Sequence, residues 1–144
     1  MYYKRNNKRL SVSGRGDYMS TSDFIIQYYT NLDACRKFFY DIKWPTGYYF
    51  EKCGCTHYYF MKTKNCYRCA NCKHDERLLS NTIFQDNKLP LNVLLYGLFL
   101  IFTANNGISS MELSKELKVN YKTACLLQTK ARILMKNSNS KRFL

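Results

Sequence analysis

Acid is scarce in this chain, and so are long apolar runs. Its 144 residues hold 10 Asp and Glu against 23 Lys and Arg, a formal charge of +13. The carboxylates Asp17, Asp23, Asp33, Asp41, Glu51, Asp75, Glu76, Asp86, Glu112 and Glu116 are scattered. A two-metal nuclease needs carboxylates converging on ions about 4 Å apart, and no such set is spaced here, so a non-catalytic chain is expected. The longest apolar run, Val93 to Phe102, is about half of the roughly 20 residues a membrane span requires, and Asn92 and Asn105 flank it. It reads as a buried helix, and no membrane partner is expected. The first twenty residues lack the apolar segment of a secretory signal, and the seven cysteines are an odd number. Both facts argue against a disulfide framework and for a reducing, cytoplasmic setting. The excess positive charge predicts a polyanionic partner, nucleic acid before anionic lipid.

What the chain does have is a pair of thiols at ligand spacing. Cys69-Ala70-Asn71-Cys72 is a C-x2-C knuckle, which aims two thiolates at one tetrahedral zinc. In a ribbon spaced C-x2-C-x15-C-x2-C, counting back from Cys69 places one partner at Cys53 and the other at position 50, which is Phe50. Three ligands are thus in register, and the fourth is open among Cys55, Cys66, His57 and His74. Cys55 is the first choice because it stays on the same knuckle. The expected metal set is Cys53, Cys55, Cys69 and Cys72, holding one zinc ion more weakly than an intact site would.

Around these knuckles the chain divides into a basic arm (1–22), an N-terminal helical segment (23–45), a zinc ribbon (46–86), a helix-turn-helix (87–137) and a tail (138–144). Thr30 and Asp33 have the spacing of a capping box, and Leu32, Cys35, Phe38, Phe39 and Ile42 recur as one helical apolar face ended by Trp44-Pro45. Cys35 on that face reads as a core residue. His57-Tyr58-Tyr59-Phe60-Met61 is aromatic strand material, and so few residues of the ribbon could build a core that a metal or the neighbouring helices must hold it. The expected fold is α+β.

Pro90 marks the start of an apolar helix, Ser109 and Glu112 form the capping box of a short helix through Leu117, and Asn120 can cap a third from Tyr121 to about Lys136. On the third helix Ala124, Leu127, Ala131 and Leu134 fall on one face. From Lys118 to the end there are seven basic residues and no acidic one. Such one-sided charge suits a helix lying in a phosphate-lined groove. Lys118, Tyr121, Lys122, Thr123, Lys130, Arg132 and Lys136 are therefore the expected contacts to double-stranded DNA. Leu126 and Ile133 lie outside the core face and suggest a surface covered by a second subunit or another domain.

Several motifs taken in order carry a resemblance. Trp44-Pro45-x-Gly47, Cys53-Gly54, Cys69-x2-Cys72, Asn81-Thr82-Ile83-Phe84, Lys88-x-Pro90-Leu91, Gly107-Ile108-Ser109 and Tyr121-Lys122-Thr123-Ala124 resemble the N-terminal region of bacterial insertion-sequence transposases with a zinc ribbon. The family usually has G-T-I-F where this chain has Asn81-Thr82-Ile83-Phe84, and a cysteine where it has Phe50. The resemblance implies that ribbon and helix-turn-helix bind the element's terminal inverted repeats, in a bacterial cytoplasm and at the nucleoid when bound. It also implies a following RNase-H-like domain with an acidic triad, which this chain is expected to lack. The alternative is an autonomous helix-turn-helix transcriptional regulator with a degenerate ribbon.

Overall fold

The computed structural model describes residues 20–137, so most of the expected arm and all of the expected tail lie outside the described residues. Helices and a three-stranded antiparallel sheet make the fold α+β. The chain forms two compact units, one including residues 20–35 and 88–137, the other residues 36–87.

In the first unit, helix α1 (Thr21–Phe24) begins where the sequence suggested an arm. Ser20 caps it: its Oγ accepts from the Asp23 amide at 3.2 Å and donates to the Asp23 carboxylate at 2.8 Å. The helix widens into a π-turn over Ile25–Tyr29, where the Asn92 side-chain amide donates to the Tyr29 carbonyl at 3.1 Å. Its anchor is Phe24, fully buried and stacked on Phe99 with ring centroids 4.2 Å apart. That burial contributes about 2–3 kcal/mol, which explains why so short a helix persists.

Helix α2 (Leu32–Lys43) starts on a different cap from the expected one. Asn31 Oδ1 accepts from the amides of Asp33 and Ala34, at 3.1 and 3.2 Å. Thr30 instead donates back to the Ile26 carbonyl at 2.7 Å, closing the preceding turn. Both Asn and Thr can cap, and Asn, the better N-cap residue, stands directly before Leu32. Leu32, expected on the apolar face, is exposed, whereas Cys35 and Phe39 are buried as expected.

Further along the first unit, helix α3 (Leu91–Thr103) follows Pro90 and buries Leu94 to Phe99 and Ile101. Helix α4 (Ser110–Leu117) is capped by Ser109, which accepts from the Glu112 amide at 3.1 Å. Lys118 then turns left-handed, at φ 52°, and Asn120 Oδ1 accepts from the Lys122 amide at 3.0 Å to open helix α5 (Tyr121–Asn137). Ala124, Leu127, Ala131 and Leu134 are all buried, as their spacing requires. Gly97 lets α3 come close: a Cβ there would sit 2.6 Å from Leu127 Cδ2 and 2.9 Å from Leu117 Cδ1. Gln128, also buried, ties α4 to α5 by accepting from Ser110 Oγ and donating to the Ile108 carbonyl.

In the second unit, strands β1 (Tyr58–Met61), β2 (Cys66–Cys69) and β3 (Asp75–Glu76) pair antiparallel in that order. Tyr59 stands opposite Arg68, and Arg68 opposite Asp75. Directly opposed residues share a face. Tyr58, Phe60 and Tyr67 therefore lie on one side, where Tyr58 and Tyr67 meet Tyr40, Trp44 and Tyr48 at centroid distances of 4.9–6.0 Å and Phe60 packs on Tyr67. This aromatic layer is the core that the sequence did not reveal. Lys43 at the end of α2 locks it, pairing with Glu76 at 2.9 Å and donating to the carbonyls of Arg77 and Ser80. Burial pulls the Lys43 ammonium below its usual pKa range, and Glu76 opposes that shift. Asn81 occupies the left-handed region at φ 60°, a conformation that Asn tolerates better than most side chains, in the place where the resembled family has glycine.

Candidate metal centre and basic helix

Two turns with the same hydrogen bonds build the centre. In the first, the Phe50 amide donates to the Cys55 carbonyl at 3.0 Å and the Gly54 amide to the Phe50 carbonyl at 2.8 Å. In the second, the Cys69 amide donates to the His74 carbonyl at 2.9 Å and the Lys73 amide to the Cys69 carbonyl at 3.1 Å. The left-handed corner falls at the matching place in each, Gly54 at φ 68° and Lys73 at φ 61°. Phe50 thus corresponds to Cys69, Cys53 to Cys72, and Cys55 to His74.

The sulfur atoms of Cys53, Cys69 and Cys72 all lie within 4.8 Å of one another. Cys53 Sγ and Cys69 Sγ are 3.4 Å apart. Thiolates bound to one zinc at about 2.3 Å would be separated by roughly 3.8 Å, so small adjustments fit the three to an ion. The donor chemistry fits as well. Three converging thiolates repel one another unless a cation sits among them, and Cys69 is fully buried. Tyr48 adds a buried hydroxyl that has no hydrogen-bond partner among the described residues. Burial first, then the charges of Glu76 and of Cys69, Cys72 and Cys53, push this phenol well above its usual pKa.

Cys55 falls outside that three-sulfur group. Its thiol donates to the His57 carbonyl at 3.4 Å, and that carbonyl also accepts from the Ala70 amide of the second knuckle at 3.0 Å. Backbone groups of His57, and more weakly the Cys69 side chain, pull its thiol below the usual range. The other candidates are placed elsewhere. Cys66 is three residues before Cys69 on β2, so strand alternation sends it to the opposite face. His57 is exposed, and its carbonyl accepts from the Ala70 amide at 3.0 Å. His74 stacks on the ring of Phe50 at 5.1 Å, and Phe50 itself is 5% exposed.

Paired knuckles carrying this thiol set are the feature to compare with known proteins. Residues 31–75 match the transposase zinc-ribbon domain of the IS1595 type. No curated protein and no solved structure matches the chain. The matched zinc ribbon runs from the cap of α2 to the first residue of β3 and takes in both knuckles, while α3, α4 and α5 lie beyond it.

On α5 and the turn before it, Lys118, Tyr121, Lys122, Arg132 and Lys136 are exposed, and Thr123 and Lys130 are half-buried. The Tyr121 phenol is held above its usual range by its hydrogen bond to Cys125, one turn on. Leu126 and Ile133 are 56% and 41% exposed. Seven residues apart, they share the helix face of Lys122, Thr129 and Lys136. Among the described residues, no helix is long and apolar enough to cross a membrane. The sequence reading missed Tyr48 and Gln128. Tyr48 sits in a run of three aromatics that gives no hint which one turns inward, and Gln128 sits beside Leu127 with nothing local to mark it as buried.

Proposed function

We propose that this chain is the DNA-binding, non-catalytic portion of an insertion-sequence transposase, and that it recognises the element's terminal inverted repeats. The observation that carries this reading is the match of residues 31–75 to the transposase zinc ribbon. Helix α5 supports it with a basic, acid-free exposed face, the composition that neutralises DNA phosphates. Two of the four ribbon carboxylates support the non-catalytic role, because ion pairs engage them: Asp75 lies 2.6 Å from Arg68 and Glu76 lies 2.9 Å from Lys43. The ribbon holds one zinc ion through Cys53, Cys69 and Cys72, with Phe50 standing where the matching knuckle has a ligand. The setting is the bacterial cytoplasm, on DNA.

Binding of the full chain to a duplex of the element's end, titrated with salt, tests this. Affinity should fall steeply, by about 0.9 log units per log unit of salt for each phosphate neutralised. Lys122→Ala with Lys136→Ala should weaken binding and flatten the slope by about one unit per lost contact. Equal affinity for unrelated duplexes together with an unchanged slope would overturn the proposal. The exposed Leu126 and Ile133 favour a second reading, a regulator that dimerises through α5 on a palindrome. Footprinting separates the two, since one protects an element end and the other a promoter palindrome.

A further inference from the structure

The zinc reading leaves the fourth corner of the site to be filled, and the inference here rests on that reading. The two knuckles share one backbone pattern, so the position that Cys69 fills in the second is taken in the first by a buried phenyl ring, which cannot ligate. The same pattern shows what stands beside it. The Phe50 amide donates to the Cys55 carbonyl at 3.0 Å, which pairs residue 55 with residue 50 across the turn. Gly54, at φ 68°, makes the tight corner that brings residue 55 back so soon after Cys53. The Cys55 thiol donates to the His57 carbonyl at 3.4 Å, and the same carbonyl accepts from the Ala70 amide of the second knuckle at 3.0 Å.

We propose that Cys55 is the fourth thiolate of the metal centre. The ligand absent at position 50 is recovered from the far side of the same turn, turning a C-x2-C knuckle into a C-x-C one. The Cys55 sulfur stands apart from the three-sulfur group, so its ligation requires a change of side-chain rotamer. The bond from the Phe50 amide ends on the carbonyl of Cys55, so turning the side chain gives up only the thiol's contact to the His57 carbonyl. The competitors are weaker. Cys66 points through the opposite face of the sheet, and His74 is engaged on the Phe50 ring.

Cobalt(II) and zinc titrations of the full chain test the assignment, because the thiolate-to-cobalt absorption grows with the number of bound sulfurs. The parent should give a four-thiolate spectrum with one equivalent bound. Cys55→Ser should lower that absorption by one thiolate and weaken zinc by more than the about 10–100-fold that loss of an outer partner costs. Cys66→Ser and His74→Ala should leave the spectrum unchanged. In a Phe50→Cys background, Cys55→Ser should lose most of its effect, since the original corner is refilled. A three-thiolate parent spectrum, insensitive to Cys55→Ser, would overturn the proposal while leaving the zinc reading intact. Loss of that spectrum in His74→Ala would move the fourth corner to the imidazole. A parent that takes up no cobalt, with Cys69→Ser indistinguishable from it, would remove the zinc reading itself and Cys55 with it.

Discussion

The helical unit and the ribbon unit solve the same problem with different materials. Around Gly97 the helices approach so closely that even a methyl group would strike Leu127 and Leu117, and Leu94, Leu113, Ala124 and Ala131 are fully buried. That unit is closed by packing alone. The ribbon unit has one aromatic layer, three short strands and two hydrogen-bonded turns with thiols at their tips. A sheet so small is marginal on its own. The contrast teaches that dependence on a metal follows from how much apolar surface a segment can bury, and that it can change within one chain.

Metal removal should expose this contrast most strongly. Structural zinc contributes on the order of 10–16 kcal/mol in finger peptides, and a site with an imperfect fourth corner contributes less. On chelation, amide exchange should accelerate across β1, β2 and both knuckles, while α3 and α5 keep their protection. Equal acceleration in both units would erase the distinction.

Gly97→Val should produce the converse, smaller effect. Forcing a branched side chain against Leu127 and Leu117 should cost about 3 kcal/mol in the helical unit. Thermal unfolding should show the loss, and zinc affinity should be unchanged.

The smallest effect belongs to the outer face of the sheet. Arg68 holds the Asp75 carboxyl below its usual pKa through hydrogen bonds at 2.6 and 2.9 Å, helped by Lys64 at 3.7 Å. A carboxylate with a depressed folded pKa contributes stability that is fully present above the unfolded carboxylate range and is lost as pH falls through the folded value. Asp75→Asn should therefore be slightly less stable near neutrality and should converge with the parent in acid. Because water still reaches about a third of each side chain and screens the pair, the difference should be slight. Chemical denaturation of both proteins across that range measures it, and thiolate protonation affects both alike.

Local chemistry by itself determined a good deal of this protein. The buried face of α5 follows from spacings of three and four, and the caps of α4 and α5 follow from Ser109 and Asn120. The assembly of Cys53, Cys69 and Cys72 follows from ligand spacing, because two knuckles can meet at one point only in that register. Tertiary structure decided the rest. A helix as short as Thr21–Phe24 has too little periodicity to read, and it exists because Phe24 finds Phe99. Thr30 and Asn31 are both competent caps, and the path of the preceding turn chose between them. Cys66 stands in the sequence as a candidate for the open fourth corner, and the strand's alternation set it on the face opposite Cys69. Cys55 reads in the sequence as a substitute ligand on its own knuckle, and the fold sets its sulfur outside the group of Cys53, Cys69 and Cys72. Spacing within one element is set by the chain, whereas meetings between elements depend on which surfaces pack.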